Sequence, residues 1–222
     1  PSRNGRTVAP RRILDVGAGT GALARRMVAS AERVDAVDPS AAMIEEGRRL
    51  PGGDDPRLRW IAGRAEDAPL SPPYGLITAG ASLHWLDLDV VLPRLRAVLA
   101  PDAVTAIVDA EIVHGAYWPD VLAIIREYSE AHDHTETADF VENLGTSGQF
   151  LIQGRRSTEP VWFEQPTEEY IEMLHSTSTL ARVRLGDRAV RFDADLRAVF
   201  ARYGLERLRF EVTGVAIWGR PA

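Results

Sequence analysis

Residues 12–27 read RILDVGAGTGALARRM, and this stretch decides the fold. Ile13, Leu14 and Val16 make a short apolar run of the kind buried on both faces of a parallel sheet. Gly17, Gly19 and Gly21 follow at every second position. Ala22, Leu23, Ala24 and Met27 then recur at helical spacing. The pattern predicts a strand, a tight glycine turn and a helix. Glycine suits such a turn because a side chain would block the close approach of backbone to a ligand at the helix N-terminus.

Two classes of cofactor use a turn of this kind, and spacing separates them. Dinucleotide sites take glycines in the order G-x-G-x-x-G, with the pyrophosphate resting on the helix N-terminus. Here the order is G-x-G-x-G, and an acid, Asp15, stands just before it at the strand end. A carboxylate there repels a pyrophosphate but suits a ligand carrying an ammonium group. A second short strand, Arg33 to Asp38, also ends in an acid. Asp38 follows the glycines by about 20 residues, where a carboxylate can accept both hydroxyls of a ribose. Asp38 alone fits either class; together with D-V-G-x-G-x-G it favours the second.

These residues resemble the class I S-adenosylmethionine-dependent methyltransferases, and the resemblance covers Ile13 to Asp109. It implies that Asp15 and the loop Gly17, Ala18, Gly19 and Gly21 hold the amino-acid end of S-adenosyl-L-methionine. It implies that Asp38 holds the ribose, with Pro39 and Met43 in the same cofactor set. A third strand, Leu58 to Gly63, is followed by Arg64, Ala65, Glu66 and Asp67. The family commonly lines its adenine pocket there with G-D-A-E. Arg64 replaces the acid, and an arginine cannot accept a hydrogen bond. Adenine is then expected to be read by backbone near Ala65 and by Glu66 or Asp67. A fourth strand, Leu76 to Ala81, adds Ala79 and Gly80 to the cofactor set and runs into Ser82-Leu83-His84-Trp85.

The alternation of strands and helices predicts an α/β fold. The expected architecture is a doubly wound, mostly parallel, seven-stranded Rossmann-like sheet with a helical insertion before the last strands. Helices are expected over Pro39–Leu50 and Asp87–Leu99, with Pro93 marking a kink or a late start. A fifth strand covers Ala103–Asp109. Further on, the pattern suggests a helix over Trp118–Ala131, an irregular stretch over Asp139–Gly154 and a strand at Val161–Glu164. Helices over Thr167–Ser176 and Asp193–Tyr203 and a long strand over Arg207–Trp218 close the chain. One domain over 1–222 is expected. Residues 11–110 form its cofactor-binding half, 111–160 a substrate cover and 161–222 the closing strands and helices. Tyr117, Trp118, Phe140 and Phe150 are the large groups of the cover able to wall an apolar acceptor. Methyltransferases of this resemblance usually carry one or two helices before the first strand; residues 1–10 here are polar and bounded by proline.

Composition narrows the partners. Apolar content of 45% and charged content of 26% are those of an ordinary globular chain. No apolar run approaches the roughly 20 residues of a membrane span, so no membrane partner is expected. No cysteine and no signal-peptide pattern make the cytoplasm the expected location. A formal charge of −6 argues against a nucleic-acid partner. All 26 basic residues are arginine, which excludes lysine Schiff-base chemistry. Ser71-Pro72-Pro73-Tyr74 matches the SPPY signature of DNA amino-methyltransferases, but it precedes the fourth strand instead of following it. Ligands of open α/β sheets bind at the C-terminal strand ends, so this tetrapeptide reads as a stiff loop and DNA is not expected. His132-Asp133-His134 reads as a polar loop, and no metal is expected. Oligomeric state is left open.

Methyl transfer is an in-line displacement, in which alignment of acceptor and methyl supplies much of the rate. His84, just past the fourth strand, is the candidate general base. Its alternative role is to pack under the cofactor while Trp85 buries a loop. The resemblance implies a small-molecule methyl acceptor. Alternatives are a macromolecular acceptor (RNA or protein) and a protein that binds S-adenosylmethionine without catalysis.

Overall fold

The quoted stretch opens with β1 (Arg12–Val16), in which Leu14 and Val16 are buried. The computed structural model describes residues 11–129, 137–177 and 179–222; residues 1–10 and His132-Asp133-His134 lie outside them. β1 pairs in parallel with β2 (Arg33–Asp38) on one side and β4 (Tyr74–Gly80) on the other. β3 (Leu58–Ala62) adds beyond β2, and β5 (Leu99–Val113) beyond β4, again parallel. Burial on both faces explains why these strands read as continuous apolar runs and not as alternation. The connecting helices are α1 (Ala24–Met27), α2 (Ala41–Arg49) and α3 (Leu88–Val98). α1 is a single turn, shorter than expected, and is continued by a 3-10 turn over Val28–Ser30. Ser40 caps α2 by accepting the Met43 N–H, so Pro39 precedes the helix and is not in its first turn. Pro93 lies inside α3, which starts at Leu88.

The sheet differs from the seven-stranded expectation. Eight strands are found among the described residues, in the order β3-β2-β1-β4-β5-β8-β6, with β7 also paired to β8. β6 (Phe150–Ser157) and β7 (Val161–Pro166) are both antiparallel to β8 (Arg207–Pro221). The stretch expected to be irregular instead forms α5 (Thr137–Thr146) and β6. Val141 and Leu144 sit a helical step apart and are buried, and Phe150 follows them into the same core. Gly145 and Gly148 obscure that spacing in the sequence.

The chain divides into two compact units. Among the described residues, the first takes 11–109, 137–157 and 215–222; the second takes 110–129, 158–177 and 179–214. The first has its core around Leu14, Val37, Ile77, Leu95, Ile107 and Phe150. In the second, α4 (Trp118–Tyr128), α6 (Thr167–His175), α7 (Arg182–Leu185) and α8 (Arg188–Arg202) pack around Tyr170, Phe192, Leu196 and Phe200. The stretch 111–160, expected as one cover, is therefore shared between two units. Its aromatic residues are shared as well. Phe150 is 1% exposed in the first core and Tyr117 4% exposed in the second, so both are core residues and not an acceptor wall. Phe140 and Trp118 are partly buried against those same two cores. No described helix is long and apolar enough to cross a membrane.

Candidate cofactor and active site

The glycine turn stands at the C-terminal ends of β1 and β2, within the first unit. Gly17, Gly19 and Gly21 all have positive φ, at 63°, 55° and 73°. The turn is closed by the Gly21 N–H donating to the Ala18 carbonyl at 2.7 Å and tied to β2 by the Ala18 N–H donating to Val37. The three glycines serve different ends. A Cβ on Gly17 would lie 2.5 Å from the Ser82 side chain, and one on Gly21 would lie 2.5 Å from the Trp60 ring. A Cβ on Gly19 would meet nothing within 4 Å among the described residues. Gly17 and Gly21 are thus glycines because the protein fills their space, while Gly19 leaves its own space open.

Asp38, 8% exposed, closes that opening from the side. Its Oδ2 accepts the Gly19 N–H at 2.8 Å and its Oδ1 accepts the Ser40 N–H at 2.8 Å. Each oxygen keeps a further lone pair with which it could accept a ligand hydroxyl. Pro39 and Met43 follow on α2's approach and first turn, both exposed. The Asp38 carbonyl takes the Gly63 N–H, which joins the end of β3 to the same corner.

Asp15 lies beneath the turn and is 1% exposed. Its Oδ1 accepts the Thr78 hydroxyl at 2.6 Å and its Oδ2 the Ala24 N–H at 3.2 Å, one of the unpaired amides at the start of α1. Burial pushes this carboxyl up to about 6, against the pull of those two donors and with a small addition from the charge of Asp38. The carboxylate is thus committed to Thr78 and to the helix start. The end of β4 locks onto the turn in turn. Ser82 Oγ donates to the Val16 carbonyl at 2.7 Å, and a Cβ on Gly80 would lie 2.8 Å from Leu23. Ala79 pairs with Ile107 and Gly80 with Val108 in β5. Between Gly80 and Ser82, Ala81 takes a φ of 49°, a left-handed conformation costly for a residue with a Cβ, and this bend turns the chain into the next loop. Thr78, Ala81 and Ser82 were not singled out in the sequence. Thr78 lies within an apolar run and Ser82 just past it, but only the folded structure shows what they reach.

That loop carries His84 and Trp85 on a 3-10 turn over Leu83–Trp85. Leu83 anchors it in the core, while His84 is exposed and Trp85 is 55% exposed. The two rings stand 4.9 Å apart, tilted by 49°. The residues expected around adenine divide. Ala65 is buried and Asp67 exposed, whereas Arg64 forks onto Glu66 at 3.1 and 3.3 Å. Arg64, first of all, and the Asp87 N–H hold the Glu66 carboxyl down at about 2.

SPPY lies at the opposite strand ends. Tyr74 opens β4 and its hydroxyl donates to Asp35 at 2.6 Å, while accepting the Ser71 N–H at 2.8 Å. Asp35 also takes a bidentate pair from Arg59.

A sequence model of the family described as "methyltransferase domain" matches residues 13–102. A solved structure, a candidate type II methyltransferase from Anaeromyxobacter dehalogenans, superposes with a TM-score of 0.64 over 97% of each chain, at 23% identity. Residues 13–102 thus match the methyltransferase-domain family, and the whole chain shares the fold of that solved structure. Among curated relatives, this chain is 33% identical over 152 residues to the malonyl-(acyl-carrier protein) O-methyltransferase of Halorhodospira halophila, covering 66% of this chain and 49% of that one. It is 45% identical over 88 residues to the demethylmenaquinone methyltransferase of Clavibacter sepedonicus, covering 39% of this chain and 34% of that one. The chain thus spans half or less of the length of the curated relatives it matches.

Proposed function

We propose that the protein is an S-adenosylmethionine-dependent methyltransferase acting on a small-molecule acceptor. The observation that carries the reading is the corner made by Asp38 and Gly19: a carboxylate held at the end of β2 beside a glycine whose side-chain space is open. These residues fit the cofactor. Asp38 would hold the ribose hydroxyls, and the backbone of Gly17, Ala18 and Gly19 the amino-acid end, with Asp15 supporting the turn from below. Met43, Pro39 and the backbone of Ala65 would border the adenine, with Ala79 and Gly80 behind it. The cofactor supplies an electrophilic methyl group. His84 would take the proton from the acceptor atom at an imidazole nitrogen, and Trp85 beside it would shield the acceptor from water.

The acceptor class is supported by the relatives' names, one of which concerns a malonyl group on a carrier protein and the other demethylmenaquinone. The test follows from that spread. Calorimetry should show S-adenosylmethionine and S-adenosylhomocysteine binding, and a radiolabelled methyl assay should report turnover on a panel of free carboxylates, carrier-bound acyl groups and quinols. His84→Ala should cut turnover by about 10²–10⁴ with cofactor affinity unchanged. Tight NADH binding in place of S-adenosylmethionine would overturn the reading, as would turnover confined to RNA or protein.

A further inference from the structure

The turn after β3 and the loop after β4 are tied together, and the tie occupies the one carboxylate expected at adenine that is not exposed. Glu66 Oε1 accepts the Asp87 N–H at 3.0 Å and Arg64 Nη2 at 3.1 Å, while Oε2 accepts Arg64 Nε at 3.3 Å. The Glu66 side chain is 13% exposed, that of Arg64 65%. Arg94 of α3 reaches back to the same turn, donating to the Glu66 carbonyl at 3.1 Å and to the Ala68 carbonyl. Asp87 is the N-cap residue just before α3, and its own side chain makes no capping bond. The Glu66 carboxylate therefore sits where unpaired amides and the helix dipole favour negative charge. At the other end of the loop, Ser82 is bonded to Val16 and packed on Gly17. His84 and Trp85 project from the middle of a loop pinned at both ends.

We propose that Glu66 is a positioning residue, which with Arg64 clamps the loop 82–87 at Asp87 and so sets where His84 and Trp85 stand, instead of reading adenine. Three donors already occupy a carboxylate with about four lone-pair sites, and two of them form a charged fork. Serving an adenine amino group would mean giving up part of that fork. Holding an exposed histidine in one place is the harder task, since a loop side chain displaced by about 1 Å loses much of the benefit of alignment. The importance of the clamp to catalysis rests on the proposed function; the clamp itself does not.

Amide hydrogen exchange on the whole chain, without ligand, reads the clamp directly, and calorimetry with S-adenosylmethionine reads the cofactor site. Glu66→Ala should speed exchange at residues 83–87 by about tenfold or more while leaving cofactor affinity within about twofold. Glu66→Gln keeps an oxygen for the Asp87 N–H and should restore most of the protection. If Glu66→Ala fails to fold, Arg64→Ala decides, because that side chain is exposed: faster exchange at Asp87 supports the clamp, and unchanged exchange overturns it. Unchanged exchange in Glu66→Ala with a tenfold weaker cofactor would make Glu66 a cofactor ligand and also overturn the proposal. A wild type that binds no S-adenosylmethionine would count against the proposed function alone, because the exchange data need no ligand.

Discussion

Asp15 and Thr78 stand opposite each other in the register of β1 and β4, and the threonine hydroxyl donates to the buried carboxylate at 2.6 Å. This pairing leads to a dependence on pH. An aspartate in an unfolded chain titrates near about 3.9, whereas burial lifts Asp15 to about 6. Between those values the native state holds more protons than the unfolded one, so stability from this residue is greatest in acid. It falls as pH rises through the window and stays low above about 6. Asp15→Asn should abolish this slope and be more stable than wild type at pH 7.5 by up to about 3 kcal/mol, with no gain at pH 4. Urea titrations across the window measure it; parallel curves for the two proteins would reject the assignment.

Asp38 should be the side chain the cofactor needs most. Asp38→Ala removes the acceptor from the Gly19 and Ser40 amides and from any ribose. Its effect on S-adenosylmethionine affinity should be about 1–3 kcal/mol, read by calorimetry. Equal affinity in wild type and variant would take Asp38 out of the site.

The glycines should separate fold from ligand. At either Gly19 or Gly21 an alanine pays for left-handed backbone, about 1–2 kcal/mol. Gly21→Ala also drives a methyl into Trp60 and should lower the melting temperature markedly. Gly19→Ala meets open space and should melt only slightly below wild type, yet lose cofactor binding. Strong binding by Gly19→Ala would mean that the open space is not where the ligand lies.

Tyr74→Phe tests SPPY. The change leaves the Ser71 N–H without its acceptor and removes a donor from Asp35, and should cost about 1–3 kcal/mol of stability. Cofactor affinity should not move. Loss of affinity at full stability would tie this end of the sheet to the ligand.

The sequence made the parallel half of the fold legible because buried strands and the glycine turn leave compact, local marks. Asp38 could be placed at a strand end from spacing alone. What Asp38 holds, the Gly19 amide, could not, since that bond joins two turns brought side by side by the sheet. Glu66 was picked out by its position after β3, but its bond to the Asp87 amide depends on where α3 starts. Thr78 looked like one more strand residue until register set it against Asp15. α5 and β6 were missed for a different reason. Glycines at 145 and 148 broke the pattern, and only burial of Val141, Leu144 and Phe150 in a distant core makes these segments regular.

The first unit is assembled from three separate lengths of chain, and the last of them carries Val215 and Ile217 into its core. On a ribosome the glycine turn and the five parallel strands emerge early, but the core beneath them lacks those two side chains until synthesis has passed residue 217. Until then the nascent half-sheet has an unfilled flank, the kind of exposed strand surface that recruits chaperones or misassembles. A fragment ending at residue 109 keeps every cofactor residue named above and lacks part of the core that steadies them. For engineering, therefore, the portable piece of this protein is not the stretch of sequence that looks like a cofactor domain.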